Sequence, residues 1–112
     1  MKMVMAILRP EKIKEVEDGL KAQGFFSLTE INVRGRGRQK GIVIGSMTYD
    51  KLPKEMVLVA CQDGDAGKVS EIIQKAACTG NIGDGKIFVL NLEDAVTIRT
   101  GERGEKAVSK AS

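Results

Sequence analysis

Met3-Val4-Met5-Ala6-Ile7-Leu8 is an unbroken apolar run. It has none of the polar gaps that a 3.6-residue period leaves on a surface helix, so it reads as a buried strand. Arg9-Pro10 closes the run, and Pro10 stands where a helix begins. Ile13, Val16 and Leu20 then recur at helical spacing among charges until Gly24. Leu28, Ile31 and Val33 carry an extended segment into Gly35. The plan then repeats. Met56 to Cys61 is a second continuous apolar strand, and Asp63 or Asp65 is placed to cap a following helix. That helix carries Val69, Ile72, Ile73, Ala76 and Ala77 on one stripe. Ile87 to Leu90 is a third apolar strand, and Ala95 to Ile98 is a short further candidate. Strand-helix-strand twice over predicts an α+β, ferredoxin-like βαββαβ fold, with both helices on one face of a four-stranded antiparallel sheet.

A sheet covered on one face should alternate apolar and polar residues. Met3–Leu8 and Met56–Cys61 do not alternate. The face without helices therefore needs a cover, and a second copy of the chain is the simplest one, which predicts a homo-oligomer built on packed sheets. Between the two halves, residues 35–53 contain Gly35, Gly37, Gly41, Gly45 and Pro53 with little core periodicity. This is a long loop between the second and third strands, of the kind that is functional or disordered. The domain is expected to span 1–104, with 105–112 as a flexible C-terminal tail that is loose unless something docks it.

Composition narrows the chemistry. The 112 residues include 42% hydrophobic and 29% charged side chains, which is globular and argues against disorder. There is no histidine, which removes the commonest general base, the imidazole-paired nucleophiles and imidazole metal sites. No nucleophile–base pair is visible, so an enzyme is not expected. With no Trp, one Tyr and three Phe, a base-stacking platform for nucleic acid is poorly supplied. Cys61 and Cys78 have no motif spacing and read as small buried hydrophobes. The apolar start is too short for a membrane span or a secretory signal, so the expected location is the cytoplasm.

Three segments carry chemistry. In Arg34-Gly35-Arg36-Gly37-Arg38-Gln39-Lys40-Gly41 the glycines let backbone amides approach an anion that the cations neutralise. A solvated basic turn is the alternative. Thr79-Gly80-Asn81-Ile82-Gly83-Asp84-Gly85-Lys86 either wraps a polyphosphate or is a helix C-cap followed by a turn. Arg99, in Ile98-Arg99-Thr100-Gly101-Glu102, either reaches a neighbouring subunit's ligand or belongs to a solvated segment.

Together these segments, with Ala6-Ile7-Leu8-Arg9-Pro10 and Leu52-Pro53-Lys54, closely resemble the PII nitrogen-regulatory signal-transduction family over residues 1–104. The resemblance implies a homotrimer that binds ATP or ADP in clefts between subunits and 2-oxoglutarate beside Mg-ATP. It implies that Ile7, Thr29, Gly35, Gly37 and the Ala60 backbone hold the base and ribose. Arg36 belongs to the same nucleotide set; Arg38, Gly83, Asp84, Gly85 and Lys86 wrap the phosphates, and Arg99 comes from the adjacent subunit. Gln39 joins the nucleotide, coordinates magnesium and meets 2-oxoglutarate. Gly37, Lys40, Gly41 and Lys54 complete the effector site, with Lys54 on the distal carboxylate.

The departures locate a branch. The loop from Gly41 to Pro53 is shorter than in the commonest bacterial members, and Tyr49 does not match the tyrosine that those members modify. Thr97 stands where many have a second phosphate-binding arginine. The ending Tyr49-Asp50-Lys51-Leu52-Pro53-Lys54 is similar to the nitrogenase-regulating branch of methanogenic archaea and some anaerobic bacteria. The implied function is a non-enzymatic sensor whose loop 37–53 acts on a nitrogenase component together with a second PII-like protein. An ammonium transporter or glutamine synthetase is the alternative target. A small RNA-binding module is the remote alternative, and it would show a steep salt dependence.

Overall fold

The apolar runs become the two central strands. The computed structural model describes residues 1–36, 42–44, 47–49 and 51–110. β1 (Lys2–Leu8) is followed by a 3₁₀ turn at Pro10–Lys12 and by α1 (Ile13–Ala22). β2 (Thr29–Gly35) leads into a small hairpin, β3 (Ile42–Ile44) with β4 (Met47–Tyr49), so the long loop contains a two-stranded element of its own. β5 (Leu52–Cys61), α2 (Ala66–Ala77) and β6 (Gly85–Asn91) complete the second half. The main sheet has the order β2-β5-β1-β6, and each neighbouring pair is antiparallel. This is the ferredoxin-like arrangement that the strand-helix-strand repeat predicts.

Alternation along the central strands divides the side chains between two faces. Val4, Ala6 and Leu8 of β1 meet Val57, Val59 and Cys61 of β5 under the helices, where Val16, Leu20, Val69 and Ile73 close the core. At Gly19 an added methyl would stand 3.1 Å from Ile72 Cγ2, so the missing side chain permits the close approach of α1 to α2. The other face is also apolar. The register lines up Phe88–Met5–Leu58 and Leu90–Met3–Ala60 across the sheet, with Ile31 beside Met56. Phe88, Leu90 and Ile31 remain exposed in the single chain. The doubly apolar strands thus have one face buried by helices and one left open.

Three local expectations are corrected. Neither Asp63 nor Asp65 makes a side-chain cap bond to α2; the Asp63 carboxylate lies 2.8 Å from the Met1 amino group instead. Residues 95–98 do not form a strand; Val96 makes one isolated bridge to Arg103, and the chain turns between them. Cys78 is exposed rather than buried, because α2 ends at Ala77 and the backbone is already extended at Cys78. The segment after Arg103 is docked through Lys110. Gly104–Val108 forms a 3₁₀ helix, and Lys110 Nζ donates to the Gln23 carbonyl at 3.0 Å while lying 4.3 Å from the Phe25 ring centre.

Leu20 is fully buried between the helices and the sheet. Leu20→Ala should lower unfolding stability by about 2–5 kcal/mol, the range for a deleted core leucine, read as a fall in the urea midpoint.

Candidate functional site

The register brings three elements to one end of β1. Leu8 is paired on one side with Glu55 of β5 and on the other with Gly85 of β6. Residues 79–84, between α2 and β6, therefore turn directly over the end of β1. The turn uses Gly80 (φ +85°), Gly83 (φ +101°) and Gly85 (φ +107°) in left-handed backbone conformations that other residues rarely adopt. At Gly85 the constraint is tighter still, since a Cβ would run into the Ile7 carbonyl.

Asp84 holds the turn closed. One carboxylate oxygen accepts the Thr79 N–H at 2.8 Å and the Gly80 N–H at 2.9 Å. The other accepts the Thr79 hydroxyl at 2.5 Å and Arg9 Nε–H at 3.0 Å. These donors, the Thr79 hydroxyl foremost, stabilise the carboxylate and hold its pKa well below the usual range. A depressed folded value means that the contribution is present above the ordinary carboxylate pKa of about 3.9 and is lost as pH falls through the lower folded value. The tether is therefore intact at neutral pH.

Lys54 binds the turn from the other side. It shares the parity of Met56 and Leu58 but stands beyond the end of β1, paired only with Val33 of β2. Its ammonium thus passes the end of the central strand and donates to the Gly83 carbonyl at 2.7 Å. Lys54 is 8% exposed. Burial, followed by the nearby Arg9 charge, pushes its pKa down.

A cavity of about 630 Å³ lies beside the turn, within the range of small-molecule sites. Ile7, Gly35, Arg36, Lys54, the turn from Gly80 to Lys86, and Phe88 line it. Among the described residues its one lining carboxylate, Asp84, is already occupied by its own donors. Among the described residues Arg36 and Lys86 make no ion pair. The cavity can therefore offer uncommitted positive charge to an anion.

Ile7, Gly35, Arg36, Lys54, Gly83, Asp84, Gly85 and Lys86 are accordingly brought together. Thr29 and Ala60 are not among them. They line a second cavity, of about 410 Å³, with Phe25, Phe26 and the docked segment 107–110. Thr29 and Gly35 are the two ends of β2, and six residue steps of strand separate them by ~20 Å. Arg99 stands in the turn between Val96 and Arg103 and lines neither cavity. Gly37, Arg38, Gln39, Lys40 and Gly41 lie outside the described residues. Arg9 is not among the site residues expected from the sequence, where it closes the first apolar run and belongs to the segment Ala6-Ile7-Leu8-Arg9-Pro10. Asp84 is the one acid of the glycine turn, but nothing near Arg9 in the sequence points to it.

The chain is thus ferredoxin-like, with a glycine turn ending in lysine and a long loop between its second and third core strands. The profile of the family described as nitrogen regulatory protein P-II matches residues 1–102, and the chain belongs to this family. It is accordingly a regulator and not an enzyme. It is 57% identical over 104 residues to the nitrogen fixation nifHD2 region GlnB-like protein 1 of Methanosarcina barkeri, covering 93% of this chain and 99% of the relative. With the nifHD region GlnB-like protein 1 of Methanothermobacter marburgensis the identity is 51% at the same coverage. The nitrogen regulatory protein P-II 2 of Methanothermobacter thermautotrophicus is 47% identical, covering 96% of this chain and 97% of the relative.

Gly85→Ala should destabilise the protein by more than the about 1–3 kcal/mol of left-handed backbone strain alone, because the new methyl meets the Ile7 carbonyl. Gly64→Ala, with open space at Cβ and no positive φ, is the control that should leave the denaturation midpoint nearly unchanged.

Proposed function

We propose that this chain is a PII-type sensor of ATP or ADP and 2-oxoglutarate that controls nitrogenase by direct binding. The observation that carries the reading is the convergence of Arg36, Lys54 and Lys86 on a cavity beside the glycine turn. A polyphosphate needs several donors and cations at once, and this cavity supplies uncommitted cations next to three left-handed glycines. The residues present fit a nucleotide. No described cluster of three or more acidic or thiol side chains could hold a metal by itself, so magnesium would come with the phosphates, held in part by Gln39. Arg38 would add to the phosphate contacts, and Lys54, Gln39, Lys40, Gly37 and Gly41 would hold 2-oxoglutarate.

The separation of Thr29 and Ala60 from Gly35 and Lys86 supports a composite site. One molecule cannot span both halves of the same chain comfortably, so the base half, with Arg99, would come from a neighbouring copy. The open apolar face of the sheet supplies a reason for copies to associate, and a homotrimer satisfies both needs. The relatives named for nitrogen-fixation regions favour nitrogenase as the target; a second PII-like protein would take part, and the proposed location is the cytoplasm. Among the described residues no helix is long and apolar enough to cross a membrane.

Light scattering should give a mass near three times 12.1 kDa; a stable monomer at micromolar concentration would overturn the composite site. Calorimetry should show Mg-ATP binding, and 2-oxoglutarate binding only when Mg-ATP is present. Lys86→Ala should weaken ATP about tenfold to a hundredfold, the value of one charge-assisted contact, while leaving the denaturation midpoint close to the parent's. Pull-down against purified nitrogenase, an ammonium transporter and glutamine synthetase then identifies the target, and capture of either of the last two alone would reject nitrogenase.

A further inference from the structure

We infer that Arg9 is a positioning residue for the nucleotide site: its guanidinium joins Asp84 to the Ile82 carbonyl and so fixes the shape of the glycine turn that receives the phosphates. The inference rests on the nucleotide reading above and adds to it a residue that does not line the cavity.

Arg9 is placed by its neighbours on both sides. Leu8 is locked between β5 and β6, and Pro10 holds Arg9 in extended backbone, with φ −66° and ψ 135°. From there Nε donates to Asp84 Oδ1 at 3.0 Å and Nη2 donates to the Ile82 carbonyl at 2.9 Å. The two bonds span residues 82 to 84, so the width of the turn is set by a rigid planar group. Asp84 passes the restraint on, because it also holds the Thr79 and Gly80 N–H groups at the exit of α2. A continuous chain of bonds therefore runs from the central strand through Arg9 and Asp84 to residues 79 and 80. Lys54 grips the turn at Gly83, between the two points that Arg9 holds.

The chemistry requires arginine. A lysine ammonium can satisfy one acceptor as a point charge, but it lacks the fixed fork that serves two acceptors at a set spacing. Arg9 is also not a free anion receptor, since its charge is committed to Asp84, with side chains 23% and 22% exposed. Its effect on a bound phosphate must pass through the turn.

The test uses the full chain and two variants, Arg9→Gln and Arg9→Lys, with two measurements. Amide hydrogen exchange without ligand reads residues 79–85 against β1 and β5. Calorimetry reads Mg-ATP affinity. In Arg9→Gln, exchange at 79–85 should accelerate while the central strands stay protected, and ATP affinity should fall about tenfold or more. Arg9→Lys should retain much of that loss, and it supplies the same two readings if Arg9→Gln does not fold. ATP affinity within twofold of the parent in both folded variants would overturn the inference. So would an equal acceleration across β1 and β5, which would make Arg9 a general structural residue. A parent protein that binds no Mg-ATP would instead overturn the nucleotide reading, and the role of Arg9 in it, while the exchange measurement would still report whether the tether exists.

Discussion

The close approach of Gly85 to the Ile7 carbonyl is the constraint on which the site depends. β6 can start against the end of β1 only because residue 85 has no side chain and tolerates a positive φ. That start fixes where the chain leaving α2 must turn. It also sets the row in which Lys86 stands beside Ile7, with Met56 and Ile31 beyond. Lys54, two residues before Met56 on β5, then passes the end of β1 and meets the turn. The geometry of the cations thus follows from one backbone contact between two strands.

The same register explains why the fold leaves so much apolar surface. A central strand with side chains of similar hydrophobicity on both faces can use only one of them against α1 and α2. Met3, Met5 and Ile7 consequently share the opposite face with Leu58, Phe88 and Leu90, several of them half-exposed or exposed. Area of this kind favours association. On the proposed reading, association also brings Thr29 and Ala60 of one copy to the phosphate half of another, so burial and ligand recognition would be solved by one assembly.

The sequence was legible where the pattern was local and strong. The apolar runs at Met3–Leu8 and Met56–Cys61, and the stripes of α1 and α2, are statements about single elements, and the four-stranded topology follows from their order. It was less legible where partners are distant in the chain. Asp65 has the residue type of a helix cap, but its side chain makes no cap bond, and Asp63 is used by an amino group 62 residues away in sequence. The Ala95–Ile98 segment has strand composition but, among the described residues, no strand beside it apart from one bridge. Arg9 and Asp84 are 75 residues apart, and nothing local to either one announces the pair. The motifs of the glycine turn were legible as a candidate ligand site, whereas its internal tethers needed the sheet register.

Those tethers bear on how an anion would be received. Before any ligand arrives, the turn is closed by groups that satisfy one another: Asp84 with Arg9 and two N–H groups, Gly83 with Lys54. Of these tethering groups Lys54 is the less well satisfied, because it is buried with a lowered pKa and holds a neutral carbonyl rather than a carboxylate. An anion near it would raise that pKa and offer a better acceptor, so the ammonium gains by transferring from Gly83 to the ligand. Asp84 has no such incentive, since its charged form is already strongly favoured. An anionic ligand would therefore shift the contact at the β5 side of the turn while the β1 side stays fixed. β5 starts where the long loop returns to the sheet, and a displacement at Lys54 is two residues from that junction. The buried cation of the site thus stands directly beside the segment that, on the proposed reading, meets the target.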